Sequence, residues 1–312
     1  MRTLMYSLIA SLTLGLGAHA YADGAIAHVE QRGDGPVEMI LIPGSPCDWR
    51  VWDEFMTRNS DNYSMRAFTL AGFSGTAPLP TPAANDVSKT PWLDAAVADI
   101  AAYIKEHELD DVVVVGHSLG GHLALRLGLE HPDVVSRIVD IDGVPESNLF
   151  GDDISHEERI QRIELELEPA LRGFDSQRAV AMQEQAARAM VTSEERGEEL
   201  AEMYVSTDTP IAMEYLIQGL KSNIAHELQT IGVPTLVIVA VGQAGADENA
   251  RSQIRAQWAA WAGDADAITI RNFEASRHFV MDDQPEELDE TIAAFLSGEM
   301  DSDTEEPSEP RH

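Results

Sequence analysis

The chain's 312 residues predict an α/β protein built on a mostly parallel, doubly wound sheet, with a long helical insertion. Three observations carry that expectation. Residues 112–115 are four consecutive valines, a pattern suited to a central strand covered on both faces, and they end in Gly116-His117-Ser118-Leu119-Gly120. Short β-branched runs elsewhere alternate with amphipathic stretches of helical period, as in a parallel sheet joined by crossover helices. One connection, from Gly143 to Gly232, is too long for a crossover, and its apolar residues recur only at helical spacing.

In chain order, residues 1–20 carry Arg2, an apolar run over 4–16 and Ala18-His19-Ala20, which together predict a secretory signal peptide. The run falls short of the ~20 apolar residues needed to span a bilayer. Residues 25–31 and 37–42 are expected to be strands joined by Gly33-Asp34-Gly35-Pro36 and forming an antiparallel edge. Pro43-Gly44-Ser45-Pro46 ends the second strand, and a helix over 49–59 follows. Residues 65–70 predict the next strand, 71–75 a glycine-bearing loop, 78–82 an irregular loop, and 92–107 an amphipathic helix leading into the valine strand. Leu119 to Glu130 is helical in period, 135–141 is a strand, and the insertion divides into helices over 156–171, 177–191, 193–204 and 210–221. Strands over 235–241 and 267–273 flank a helix over 249–261, and 286–296 closes the fold.

The strand, glycine-flanked serine and helix around Ser118 resemble the nucleophile elbow of the α/β-hydrolase superfamily, with patchy similarity from about Val37 to Leu296. That fold hosts unrelated chemistries, so the resemblance speaks for fold more than for substrate. It implies a cofactor-free serine hydrolase with no metal. Ser118 attacks, and His278, in Ser276-Arg277-His278-Phe279 after the last strand, acts as base. Members of the superfamily place the acid in either of two positions. Asp142, past the strand that follows the elbow helix, occupies the place used by some relatives, haloalkane dehalogenases among them. Asp247, in the loop after 235–241, occupies the commoner place, but it also reads as the N-cap of the next helix. Asp142 is preferred, Asp247 is the alternative, and Asp140 trails both. Where many relatives read His-Gly-x-Pro, this chain has Pro43-Gly44-Ser45-Pro46, so the expected oxyanion donors are the backbone NH groups of Ser45 and Leu119.

The resemblance further implies a division into a core over 21–144 and 231–298, and a helical cap over 145–230 that forms much of the substrate pocket. An acidic tail over 299–312, with almost no apolar residues, is expected to stay disordered. Met182, Met190, Met203 and Met213 are candidate pocket residues, because methionine suits adaptable apolar sites. Their helical spacing equally describes a cap core.

Composition narrows the partners. There are 54 acidic against 21 basic residues, a formal net charge of −33, and Lys89, Lys105 and Lys221 are the only lysines. Such a surface repels nucleic acid and anionic membranes, and salt would relieve its self-repulsion. Cys47 is the single cysteine, so no intramolecular disulfide forms even after export to an oxidising compartment; it reads as a small filler residue. No metal-ligand motif occurs; Asp152-Asp153, Glu157-Glu158 and Glu194-Glu195 read as solvated helix faces.

The expectation is an exported protein, periplasmic or extracellular, that cleaves a small carboxylic ester, lactone or thioester and uses neither nucleic acid nor, after leader removal, a membrane. The alternative is a non-catalytic protein binding a small ligand on the same fold. Within enzymes, a cofactor-free haloperoxidase or carbon-carbon bond hydrolase would keep the same three residues.

Overall fold

The computed structural model describes residues 24–79, 90–147, 149–151, 154–172, 176–245 and 247–300. The leader at 1–20, part of the loop expected over 78–82, Asp152-Asp153 and all but the first two residues of the tail at 299–312 lie outside the described residues.

The elements follow one another as β1 (Ile26–Arg32), β2 (Val37–Ile42), a 3₁₀ turn (Trp49–Trp52), α1 (Asp53–Arg58), β3 (Tyr63–Leu70), α2 (Pro91–Glu106), β4 (Val113–His117), α3 (Leu119–Glu130) and β5 (Arg137–Ile141). Among the described residues six α-helices come next: α4 (His156–Arg162), α5 (Glu168–Arg172), α6 (Ser176–Ala189), α7 (Glu194–Ser206), α8 (Thr209–Lys221) and α9 (Ala225–Leu228). The chain then completes the sheet with β6 (Thr235–Ala240), α10 (Glu248–Ala262), β7 (Ile268–Phe273), α11 (Val280–Asp283) and α12 (Pro285–Ser297). The strands form one seven-stranded sheet in the order β1-β3-β2-β4-β5-β6-β7, parallel except for β1.

Strand alternation divides the core between the two faces of this sheet. Ile40, Ile42, Val114 and Ile138 point to the side covered by α2, α3 and α10, where Trp92, Ile100, Leu123 and Trp258 are buried. Met39, Leu41, Val113, Val115 and Val139 point to the other side, against Phe55 and Met56 of α1 and Leu288 and Ile292 of α12. A fully buried aliphatic side chain of this kind contributes about 1.5–3 kcal/mol relative to exposure. Burial on both faces explains why β4 and β6 read as unbroken apolar runs instead of alternating ones.

One expectation fails at the edge. β1 does not pair with β2: it runs antiparallel to β3, with Arg32 opposite Met65 and Ile26 opposite Leu70, while β2 lies between β3 and β4. The 33–36 segment is therefore a crossing and not a hairpin turn. Gly33, at φ +86°, passes so close to the Tyr63 carbonyl that an added Cβ would sit 2.1 Å from its oxygen. β3 returns into the gap and takes both partners.

The stretch expected as one helix over 156–171 is broken by a π-helical segment, Ile163–Leu167, between α4 and α5. The six helices between β5 and β6 leave and rejoin the core side by side, where Ile224 N donates to Pro145 O at 2.9 Å and Glu146 bridges Asn223. α8 docks on α2 through Tyr215 stacked on Trp92, ring centroids 4.0 Å apart, and through Gln218 Oε1, which accepts from Trp92 N at 2.9 Å. No helix among the described residues is long and apolar enough to cross a membrane.

Candidate active site

Ser118 sits between the end of β4 and the start of α3 at φ 54° and ψ −119°, a conformation that costs a side-chain-bearing residue energy. Its neighbours allow the bend because they lack side chains. A Cβ at Gly116 would lie 2.0 Å from Gly120 O, and one at Gly120 would lie 2.3 Å from Ile42 O of β2. Strand and helix thus approach more closely than any larger residue permits. Ser118 N donates to Ile141 O at 2.9 Å, fastening the turn to the end of β5.

Asp142 follows β5 directly, at φ 50°. Its Oδ1 accepts from Ala240 N of β6 at 3.0 Å, and its Oδ2 accepts from His278 Nδ1 at 2.6 Å. Both side chains are largely buried, with exposures of 8% for Asp142 and 17% for His278. The charge-assisted bond fixes the imidazole with its proton on Nδ1, so Nε2 presents a lone pair. Ser118 and His278 line the same cavity. No hydrogen bond joins them here, and bonds of this type often tighten only in the substrate complex.

The other two carboxylates lie elsewhere. Asp247 caps α10, its Oδ1 accepting from Asn249 N at 3.0 Å and Ala250 N at 3.2 Å. The loop that could have carried it to His278 is taken up by a 3₁₀ turn, Val241–Ala244, before the cap. Asp140 is wholly buried beneath α3, packed against Gly121, where a Cβ would fall 1.9 Å from Oδ1. Burial, with the charge of Asp142 adding to it, pushes its carboxyl well above the usual carboxylate range, and its Oδ1 accepts from Gly143 N at 2.9 Å.

Ser45 and Leu119 also line the cavity. Leu119 opens α3, where a backbone NH has no acceptor one turn back, and the helix N-terminus favours negative charge. The backbone before Ser45 runs against Ser118: a Cβ at Gly44 would come within 2.9 Å of both Ser118 Cβ and His117 Nδ1. The cavity has a volume of about 590 Å³ between the sheet's carboxyl edge and the helices of the insertion. Met182, Met190 and Met213 line it, but Met203 packs into the core instead.

Two further histidines flank the elbow, one packed beside the strand and one on the helix, as their positions in the sequence suggest, and neither needs a proton-transfer role. His117, 1% exposed, has its ring centroid 4.6 Å from that of His278, and its Nε2 donates to His278 O at 2.9 Å. Burial and the adjacent His278 push its imidazole well below its ordinary pKa, so it stays neutral. His122, on α3, donates from Nδ1 to Val144 O at 2.8 Å and accepts at Nε2 from Ser222 Oγ at 2.8 Å. It therefore ties the two chain connections of the insertion to the elbow helix, and burial lowers its pKa to about 4. The signal for both was their place beside Ser118, but partners so distant in sequence leave no local trace. Cys47 is fully buried, and burial, with the adjacent Asp48, pushes its thiol far up, so it is no nucleophile. Among the described residues no group of three His, Cys, Asp or Glu side chains is placed to hold a metal ion.

Comparison with known proteins adds the family. A sequence model described as the alpha/beta hydrolase family matches residues 39–291. The chain is 27% identical over 118 residues to the pimeloyl-[acyl-carrier protein] methyl ester esterase of Vibrio vulnificus strain YJ016, covering 38% of this chain and 41% of that protein. It is 30% identical over 121 residues to Lipase LipV of Mycobacterium tuberculosis, covering 37% and 41% respectively. The matched segments thus span about two-fifths of these curated relatives. Among solved structures, a thermophilic esterase from Thermogutta terrifontis superposes with a TM-score of 0.66 at 17% identity, covering 86% of this chain and 92% of that one. At that identity the likeness is one of fold.

Proposed function

The chain belongs to the alpha/beta hydrolase family, and from that premise we propose that it is a serine hydrolase of small carboxylic esters, lactones or thioesters, working through Ser118, His278 and Asp142. The observation that carries the reading is the 2.6 Å bond from His278 Nδ1 to Asp142, in a cavity that also holds the strained Ser118. Relatives named as an esterase and a lipase support ester cleavage.

In this mechanism His278 Nε2 takes the Ser118 hydroxyl proton as Oγ bonds to the ester carbonyl carbon, and Asp142 stabilises the resulting imidazolium. The carbonyl electron pair moves to oxygen, where Ser45 N and Leu119 N donate to it; one donor of this kind is worth about 10²–10³ in rate. Collapse expels the alcohol or thiol, which leaves with the proton from His278, and Ser118 remains acylated. Water attacks the acyl carbon, giving its proton to His278, and the acid departs as Ser118 regains that proton. Asp247 has a structural part only, as the cap of α10.

The test is turnover of p-nitrophenyl esters by the purified protein. Ser118→Ala and His278→Ala should each lose at least ~10³ in kcat, in line with the joint action of such residues. A well-folded protein that turns over no ester would favour the ligand-binding alternative, and turnover that survives Ser118→Ala would sink the mechanism.

The second part of the proposal is export. Its support is the arrangement of Arg2, the apolar run and Ala18-His19-Ala20 within residues 1–20. The active protein would then work outside the cytoplasm, in the periplasm or the medium.

A further inference from the structure

The wall of the cavity restricts what the proposed hydrolase accepts. Among the described residues no lysine or arginine lines it. Of the carboxylates that do, Asp142 is engaged by His278, and Glu146 is paired with the buried Arg159 and accepts from Asn223 Nδ2 at 2.6 Å. A substrate carboxylate would therefore enter without a free cation to meet it, beside the Asp142 carboxylate, which no lysine or arginine offsets. An ion desolvated in that way is strongly disfavoured. The protein's net charge of −33 extends the same repulsion to anionic substrates and acidic carrier proteins approaching from solution.

The mouth supplies the second constraint. Val144, Leu149, Met182 and Leu216 are 45%, 55%, 47% and 38% exposed, and all four line the cavity. Among the described residues the remaining large apolar side chain of comparable exposure is Leu165. Exposed apolar surface on this otherwise acidic molecule is thus gathered where the cavity opens, as at ligand-binding grooves generally. The surface is continuous with Met190 and Met213 inside, whose unbranched side chains adapt to the shape of an aliphatic occupant.

We infer that the site takes an uncharged, small-molecule ester or thioester with an apolar acyl group of several carbons, which fills the methionine-lined interior and reaches the Met182 and Leu216 rim. The inference rests on the serine hydrolase reading. It excludes dicarboxylate half-esters and acyl groups held on an acidic protein.

The test compares p-nitrophenyl acetate, butyrate, hexanoate and octanoate with the mono-p-nitrophenyl ester of octanedioic acid, which matches the octanoate in length but ends in a carboxylate. kcat/KM should rise about fourfold per methylene until the cavity is filled, and the octanoate should exceed the charged ester at least tenfold. A flat or falling series from acetate, or a charged ester within tenfold of the octanoate, overturns the inference. Leu216→Arg, at a partly exposed position that tolerates the longer side chain, should reduce the octanoate-to-charged-ester ratio at least tenfold; an unchanged ratio would remove Leu216 from the binding surface. Failure of the underlying reading is distinguishable, because no ester in the series would then show Ser118-dependent turnover.

Discussion

Replacing Asp142 by asparagine separates catalysis from folding at a single atom. In the native site Oδ1 accepts from Ala240 N at 3.0 Å, and Oδ2 accepts from His278 Nδ1 at 2.6 Å and from Gln243 Nε2 at 3.4 Å, so the carboxylate receives three donors. An amide has one acceptor. Keeping the backbone bond turns Nδ2 toward His278, and the imidazole must then move its proton to Nε2 to avoid opposing donors. Nε2, the proposed acceptor of the Ser118 proton, is left unable to take it. The corresponding change in the best-studied triad lowers kcat about 10⁴-fold, or ~5.4 kcal/mol at 1.36 kcal/mol per decade. For Asp142→Asn we expect a loss in kcat of at least ~10², with far-UV circular dichroism unchanged, because size and the Ala240 bond are kept. Asp247→Ala should behave in the opposite way: losing the cap on Asn249 N and Ala250 N costs about 1 kcal/mol, or roughly 2–4 °C in Tm, with kcat nearly unaltered. The assay is p-nitrophenyl ester turnover alongside a thermal melt for each variant. Full activity in Asp142→Asn, or a folded but inactive Asp247→Ala, would refute the assignment.

Two further outcomes follow from the histidine at the base of the insertion and from the N-terminus. Burial holds the His122 imidazole down at about 4 from 6.5, so the folded protein refuses a proton that the unfolded chain takes up. Its contribution is complete above pH ~6.5 and is lost as pH falls toward 4, with a slope of about 1.36 kcal/mol per pH unit. Urea unfolding from pH 4.5 to 7 should therefore show a slope flatter by about one proton in His122→Gln than in wild type; identical slopes would contradict it. Expression with the native N-terminus should give active protein beginning near Tyr21 by intact mass, outside the cytoplasm; active protein that retains residues 1–20 would remove the export proposal.

Much of the fold could be read from local pattern. The valine run and the helical period after Ser118 announce β4 and α3, because central strands and amphipathic helices write their burial directly into sequence. Strand partners are a different matter. The Gly33-to-Pro36 stretch has the same turn chemistry whether its flanking strands pair or are parted by a third, and only the return of β3 decides it. The π segment at Ile163–Leu167 likewise leaves the periodicity of 156–171 almost intact. For the proposed site, motif and chain position pointed to Ser118 and His278, which the structure places in one cavity. Choosing between Asp142 and Asp247 depended on contacts no local pattern contains, the Ala240 NH that braces one and the α10 amides that hold the other. The ties from His122 to Val144 and Ser222 and from His117 to the His278 carbonyl are of the same non-local kind.

The account stands most directly on whether Ser118 is an activated nucleophile. A fluorophosphonate reacts covalently with a serine whose hydroxyl is deprotonated by a neighbouring base and leaves an ordinary surface serine untouched. Intact-mass analysis of the purified protein should show one adduct per chain, peptide mapping should place it on Ser118, and Ser118→Ala should take up none. Well-folded protein that stays unlabelled, or an adduct that persists in Ser118→Ala, would contradict the assignment of this site as a serine hydrolase.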